Sequence, residues 1–326
     1  MTRSVFRKQA EACGNLGSPF TARLLALLAD RLHPKNSVGR ALLDWPGDPG
    51  KDAVPLRVAG ALHALVLTKR SPELLELYPP STPISETSRL WHAVETAFEQ
   101  FEAFILAFID SPPQTNEVAR SAALAGGFLT IAKITEKPLA ILELGASAGL
   151  NLYWDHFAFD LGGFRCGARN GVPLIKPVWQ GPRPPEFAPK IISRAGCDQA
   201  PIDRSAPEQV LRLRAYIWHD QTERLQRLDQ ALATVAGSGL RVDRADAVIW
   251  AERMLRKLPE KAVTVLYHSI FWQYLDADCQ ARLTALVQAA GRRASRHTAF
   301  AWLQMEPGPG GAAALRLKLW PDDRAW

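Results

Sequence analysis

The sequence predicts an α/β protein: a Rossmann-like, mostly parallel sheet preceded by an N-terminal helical domain. Three observations predict it. Apolar residues recur at helical spacing over the first ~135 residues, where strand-like alternation is missing. From Leu139 onward, short apolar runs alternate with helical stretches, as in parallel strands joined by crossover helices. At the junction, residues 138–152 read as an apolar strand, an acid, small residues at alternate positions and a helix-like opening. The expected domains are 1–135, helical, and 136–326, sheet-based.

In the helical region, Gly17-Ser18-Pro19 places a capping residue and a first-turn proline before a helix over 20–28. Residues 56–67 are apolar on most faces, which predicts a buried helix with His63 as a satisfied core residue. Residues 87–109 carry Leu90, Trp91, Val94, Phe98, Phe101, Phe104, Ile105 and Phe108 at helical spacing. A fourth helix is expected over 115–134, capped by Thr115 or Asn116 and favoured by Glu117 in its first turn. The alternative reading turns Gln114, Asn116, Glu117 and Arg120 toward a cofactor from the helical side.

In the sheet region, strands are expected at 139–144, 190–196, 240–242, 262–268 and 298–304, with helices over 208–235 and 276–290. Residues 315–320 alternate apolar with polar, as a half-exposed edge strand does. The Gly- and Pro-rich stretch 162–189 reads as an insertion of loops with one hairpin.

Composition narrows the function classes. Of 326 residues 47% are hydrophobic and 22% charged, which is ordinary for a globular chain with a sizeable core. The net charge of +6 comes from 39 basic and 33 acidic residues, and the arginines are scattered, which argues against a nucleic-acid-binding stripe. Cys13, Cys166, Cys197 and Cys279 form no Cys-x-x-Cys pair, so neither a disulfide framework nor a metal site is expected. The first residues lack an apolar signal core, and no apolar run reaches about 18 residues. A cytoplasmic protein off the membrane, acting on a small molecule, is the expectation; the oligomeric state is not legible.

The segment Glu143-Leu-Gly145-Ala-Ser147-Ala-Gly149 admits three readings. The first is S-adenosylmethionine binding. Small residues let the backbone approach a ligand, and the acid suits the cationic amine and sulfonium of that cofactor. A dinucleotide fingerprint would instead space its last glycine two residues on and favour an anionic pyrophosphate. On this reading Glu143, Gly145, Ser147, Gly149 and Asn151 line the cofactor. The second reading is a nucleophile elbow, because Gly145-Ala-Ser147-Ala-Gly149 fits Gly-x-Ser-x-Gly, with Asp243 or Asp246 and His268 or His297 as partners. Helices precede it where a hydrolase needs strands, and Glu143 is a poor neighbour for a developing oxyanion. The third is a tight turn that binds nothing.

Other strand ends support the first reading. Asp198 ends the second strand, where an acid accepts hydrogen bonds from ribose hydroxyls, although it lies 198 − 143 = 55 residues beyond Glu143 and the insertion must account for the excess. Asp246 follows the third strand, placed for an adenine amine. His268 ends the fourth, followed by Ser269, Trp272, Gln273 and Tyr274. Ligands sit at carboxyl ends of parallel strands, and polar and aromatic groups this dense suit orienting an acceptor and taking its proton.

These residues together resemble a bacterial family known only as domain of unknown function 2332. The matching stretches are Gly17-Ser-Pro-Phe20, Leu56-Arg-Val-Ala-Gly-Ala-Leu-His63, Pro113-Gln-Thr-Asn-Glu-Val118 with Arg120, Leu142-Glu-Leu-Gly-Ala-Ser-Ala-Gly-Leu-Asn-Leu152, Arg194-Ala-Gly-Cys-Asp198 with Pro201 and Asp203, and His268-Ser269 with Gln273-Tyr274. They span nearly the whole chain. The resemblance implies a methyltransferase-type fold behind a helical region, and a final hairpin that makes the C-terminus read as shortened. The expected function is S-adenosylmethionine-dependent methyl transfer to a small, unidentified acceptor. His268 would be base or orienter, Tyr274 a catalytic partner that with Trp272 walls out water, and Ser269 and Gln273 acceptor contacts. The alternatives are a non-catalytic nucleotide-binding module of the same fold and a Ser147 hydrolase.

Overall fold

A computed structural model describes residues 2–79, 87–308 and 312–325. Two compact units result: Met1–Thr115 with Ser205–Gln226, and Asn116–Arg204 with Arg227–Trp326. None of the described helices is long and apolar enough to cross a membrane.

The first unit is helical. Helices α1 (Thr2–Asn15), α2 (Pro19–Arg31), α3 (Ser37–Leu43), α4 (Val54–Leu67), α5 (Pro72–Leu77), α6 (Thr87–Gln100) and α7 (Glu102–Asp110) precede α8 (Arg120–Thr135), which belongs to the second unit, while α9 (Pro207–Ala215) returns to the first. The core joins Leu25, Leu28, Leu62, Leu65, Val94 and Phe98. The α4 helix is buried nearly all round, as its sequence requires, and carries buried His63. Pro19 starts α2, but Ser18 makes no side-chain cap. Its hydroxyl donates to Asp220 Oδ1 instead, and Asp220 Oδ2 accepts the Phe20 N–H at 2.9 Å. The helix expected over 87–109 breaks at Phe101, where φ −119° and ψ 28° leave the helical well. Hydrophobic spacing carries through a one-residue break, so the sequence reads it as continuous. The α1 helix was not legible because only Phe6, Ala10 and Cys13 anchor it.

The second unit is built on a seven-stranded sheet that begins with β1 (Leu139–Leu144). Three short strands follow: β2 (Ala158–Asp160), β3 (Arg165–Gly167) and β4 (Leu174–Ile175). They form their own small sheet in the order β3-β2-β4. The β2–β3 pair is a hairpin that begins before the 162–189 stretch where one was expected, turned through Gly162 and Gly163 at positive φ, with Asp160 Oδ1 accepting the Gly163 N–H at 2.8 Å. The chain then enters β5 (Ile191–Asp198), passes α10 (Thr222–Thr234), and makes β6 (Asp243–Arg244), α11 (Ala247–Leu255), β7 (Ala262–Ser269), α12 (Ala277–Arg293), β8 (Thr298–Pro307), β9 (Ala313–Trp320) and β10 (Arg324–Ala325).

The strand order is β10-β9-β8-β7-β1-β5-β6. Strands β6, β5, β1, β7 and β8 pair in parallel; β9 and β10 are antiparallel. From β1 the chain adds β5 and β6 on one side, then crosses to add β7 and β8 on the other. The order therefore reverses at β1, and ligands of open α/β sheets bind outside the carboxyl ends at such a point. The α8 helix covers one face, where Phe128 stacks on Trp154 and meets Tyr267 edge-on. On the other face α11 and α12 pack Trp250, Leu283 and Val287 with Leu142, Leu144 and Leu266.

Four local expectations need correction. The α8 helix starts at Arg120, so neither Thr115 nor Asn116 caps it. The third parallel strand is Asp243–Arg244, just after the apolar run at 240–242. β9 is not the edge, because β10 pairs outside it. No α-helix follows the glycine turn; residues Asn151–His156 form a short 3-10 helix. The helix-like opening expected there is thus a single short 3-10 segment.

Candidate site at the carboxyl end of the sheet

The small residues after β1 build an unusual backbone. Gly145, Ser147 and Gly149 have φ of 67°, 52° and 72°, so alternate residues sit in the left-handed region. For Ser147 this costs roughly 1–2 kcal/mol, and its neighbours hold it there. Its N–H donates to Asp198 Oδ2 at 2.9 Å, and its carbonyl accepts the Ile202 N–H at 3.1 Å. The turn spends other donors internally: Ala146 N–H on Cys197 O at 2.9 Å, Gly149 N–H on Ala146 O at 2.7 Å, and Leu150 N–H on Asn116 Oδ1 at 2.9 Å. Two buried oxygens of this segment, Ser147 Oγ and Asn151 Oδ1, have no hydrogen-bond partner. Phe271 covers Gly145: a Cβ built there would lie 2.5 Å from the ring.

Glu143 is buried at the end of β1, where the Tyr267 hydroxyl donates to its Oε2 at 3.1 Å. Burial pushes its carboxyl up to about 8; Asp198 adds to the rise, while the Tyr267 hydrogen bond and the Arg120 charge pull down. Tyr267 rises too, first through burial and then through Glu143, so the proton stays on the phenol. Arg120 Nη1 donates to the Ser269 carbonyl at 2.9 Å, which ties the start of α8 to the end of β7.

His268 lies on the opposite face. Leu144 stands beside it in the ladder as Glu143 stands beside Tyr267, and successive strand residues alternate faces. The imidazole is fully buried. Its Nδ1 lies 2.6 Å from Glu306 Oε1, its Nε2 lies 3.3 Å from Gln304 Nε2, and Trp272 stacks on it at 5.5 Å. Glu306 Oε1 also accepts the N–H groups of Phe271 and Trp272. Burial raises the Glu306 carboxyl, but the His268 bond and these two N–H groups outweigh it and leave the carboxyl low. Sequence reasoning missed Glu306, although the rule that found His268, an ionisable group at a parallel strand end, applies to β8 as well.

The remaining candidates divide. Asp198 accepts from Ser147 N–H and from Ala200 N–H at 2.9 Å. Asp246 is the N-cap of α11, taking the N–H groups of Val248 and Ile249. Asn116 and Glu117 brace the turn: Asn151 Nδ2 donates to the Glu117 carbonyl at 3.4 Å, and the Glu117 carboxylate pairs with Arg227 at 3.2 Å. Ser269 is buried beside His268. Gln273 is exposed and Tyr274 is 75% exposed, so only Trp272 of the expected water-excluding wall packs inward. No group of three or more His, Cys, Asp or Glu among the described residues is arranged to hold a metal ion.

A family model described as an uncharacterised protein conserved in bacteria, DUF2332, matches residues 3–325. No curated protein matches the chain significantly.

Proposed function

We propose that this chain, which belongs to the uncharacterised bacterial family DUF2332, binds S-adenosylmethionine at the carboxyl ends of β1 and β7 and directs its methyl group to a small acceptor. Glu143 is the observation that carries the reading. A carboxyl buried at the sheet's reversal point and pushed up to about 8 is a group that a cation would stabilise as carboxylate. Ser147 Oγ and Asn151 Oδ1, buried without partners, suit a ligand that brings amine and hydroxyl donors. This donor set fits the methionine end of the cofactor, and a Rossmann-like, methyltransferase-type sheet fits the strand order.

S-adenosylmethionine would supply an electrophilic methyl group for in-line displacement. The chain's part is alignment and exclusion of water. Trp272, held by Glu306, would exclude water at the turn, and His268 would position it from the opposite face. Entry of a ligand against Gly145 requires the Phe271 ring to move. The internally satisfied turn also favours a second reading, a nucleotide-binding module of the same fold without turnover. The hydrolase reading has little support: Ser147 Oγ has no base bonded to it, and His268 is committed to Glu306.

Calorimetric titration with S-adenosylmethionine and with S-adenosylhomocysteine tests the proposal. The second ligand lacks the sulfonium charge and should bind more weakly. Absence of binding by both would end it.

A further inference from the structure

A second candidate site lies wholly within the helical unit. A cavity of ≈ 130 Å³ is lined by aromatic and aliphatic groups, among them Phe20, Leu24, Tyr78, Tyr216 and Trp218, with His63 and His219 in its wall. Four of its rings pack on one another in its wall: Phe20 to Tyr78 4.6 Å, Tyr78 to His219 4.9 Å, and His63 to His219 4.7 Å between centroids. Such a volume holds several waters, or a carboxylate with a short apolar body.

The histidines present a proton count. His63 Nδ1 lies 3.1 Å from the Ala215 carbonyl oxygen, and His219 Nε2 lies 2.7 Å from the Pro79 carbonyl oxygen. Carbonyl oxygens only accept, so each of these nitrogens carries its hydrogen. The other two, His63 Nε2 and His219 Nδ1, face each other at 2.9 Å. In two neutral rings both would be bare lone pairs. The contact is a hydrogen bond only if a third proton makes the pair imidazole and imidazolium, with one positive charge.

Burial resists that charge. It drives His63 down to about 3, with His219 and Arg214 adding to the fall against the Ala215 and Ile217 carbonyls. It also lowers His219, against Pro79 and Asp220. Desolvation and hydrogen-bond geometry are thus opposed, and an anion in the cavity would reconcile them. The other ionisable groups about the pair are Tyr78, Tyr216, Asp220, Arg214 and Arg224. The Tyr78 hydroxyl supplies an independent pointer: it is buried without a hydrogen-bond partner, on a residue that lines the cavity and is 1% exposed.

We propose that this cavity binds a small monocarboxylate with a short apolar or aromatic body, taken up together with one proton that His63 and His219 share. Net charge decides the class: one imidazolium matches one carboxylate, whereas a dianion would bring an unpaired charge into an apolar cavity. The Tyr78 hydroxyl donates to the carboxylate, and the ring walls take the body.

The test is titration calorimetry of the full chain with acetate and benzoate at pH 6, 7 and 8, in buffers of different ionisation enthalpy. The expected result is one proton taken up per ligand bound, with affinity falling about tenfold for each pH unit above the pair's own titration. Tyr78→Phe, which removes only the unpartnered hydroxyl, should weaken binding roughly tenfold with the melting temperature unchanged. His219→Asn should abolish the proton uptake. Absence of binding by both probes at pH 6, or binding without proton uptake, overturns the proposal. So does Tyr78→Phe binding as the unaltered chain does.

Discussion

Glu306 holds His268 through a 2.6 Å contact between Oε1 and Nδ1, and the same oxygen accepts the Phe271 and Trp272 N–H groups at 3.1 Å each. One buried carboxylate therefore fixes both the ring at the end of β7 and the turn that follows. Glu306→Ala would strand three donors and should destabilise the protein by about 3 kcal/mol. Glu306→Gln keeps an acceptor for the N–H groups and should cost less than half of that. Because the Glu306 carboxyl is lowered from 4.5, its contribution is present above that value and fades as pH falls through the lowered one. Urea unfolding of both variants at pH 7 and below 4.5 checks this; equal stability of the alanine variant and the unaltered chain would refute it.

Glu143 carries the opposite sign. Its carboxyl, raised from 4.5 to about 8, binds its proton more tightly in the folded chain. Stability should therefore decline between pH 4.5 and about 8, by at most about 1.4 kcal/mol per unit. Glu143→Gln removes this slope. Unfolding curves at pH 5, 6.5 and 8 should show the variant gaining on the unaltered chain as pH rises; parallel curves would mean that the buried carboxyl titrates normally.

Phe271 stands over Gly145 and restricts the proposed cofactor space. If the ring must swing aside before a ligand binds, truncation removes that step. Phe271→Ala should raise S-adenosylmethionine affinity roughly tenfold, since apparent affinity scales with the competent fraction. A weaker complex would make the ring part of the binding surface instead.

Ser147 combines a left-handed backbone with an orphaned hydroxyl, features that a nucleophile elbow shares. Without a bonded base the hydroxyl should be inert. A fluorophosphonate probe should leave Ser147 unlabelled at neutral pH, and stoichiometric labelling there would restore the hydrolase.

Much of this arrangement was legible in the sequence, and the gaps have physical causes. The parallel strands at 139–144 and 262–268 declare themselves because strands buried on both faces read as continuous apolar runs. The acid at Glu143 and the alternating small residues mark a turn that needs positive φ. What the runs conceal is which way each side chain points. A strand buried on both faces gives no alternation, so nothing in Tyr267-His268 shows that the first faces Glu143 and the second faces away. Asp246 reads alike as a cap and as a ligand, because both use the same residue type at the same strand end. The His63–His219 pair was illegible for a different reason. Its members lie 156 residues apart, and only the return of α9 and the turn after it to the helical unit brings them together.

The measurement that tests the central claim most directly is calorimetric titration of S-adenosylmethionine into the unaltered chain and Glu143→Gln at pH 7, in two buffers of different ionisation enthalpy. A cation that converts Glu143 to its carboxylate should expel a proton on binding. The account predicts saturable binding with proton release in the unaltered chain. In Glu143→Gln it predicts affinity weaker by about 1–3 kcal/mol, with the proton release gone. Equal affinity in the two proteins, or no binding by the unaltered chain, would contradict it.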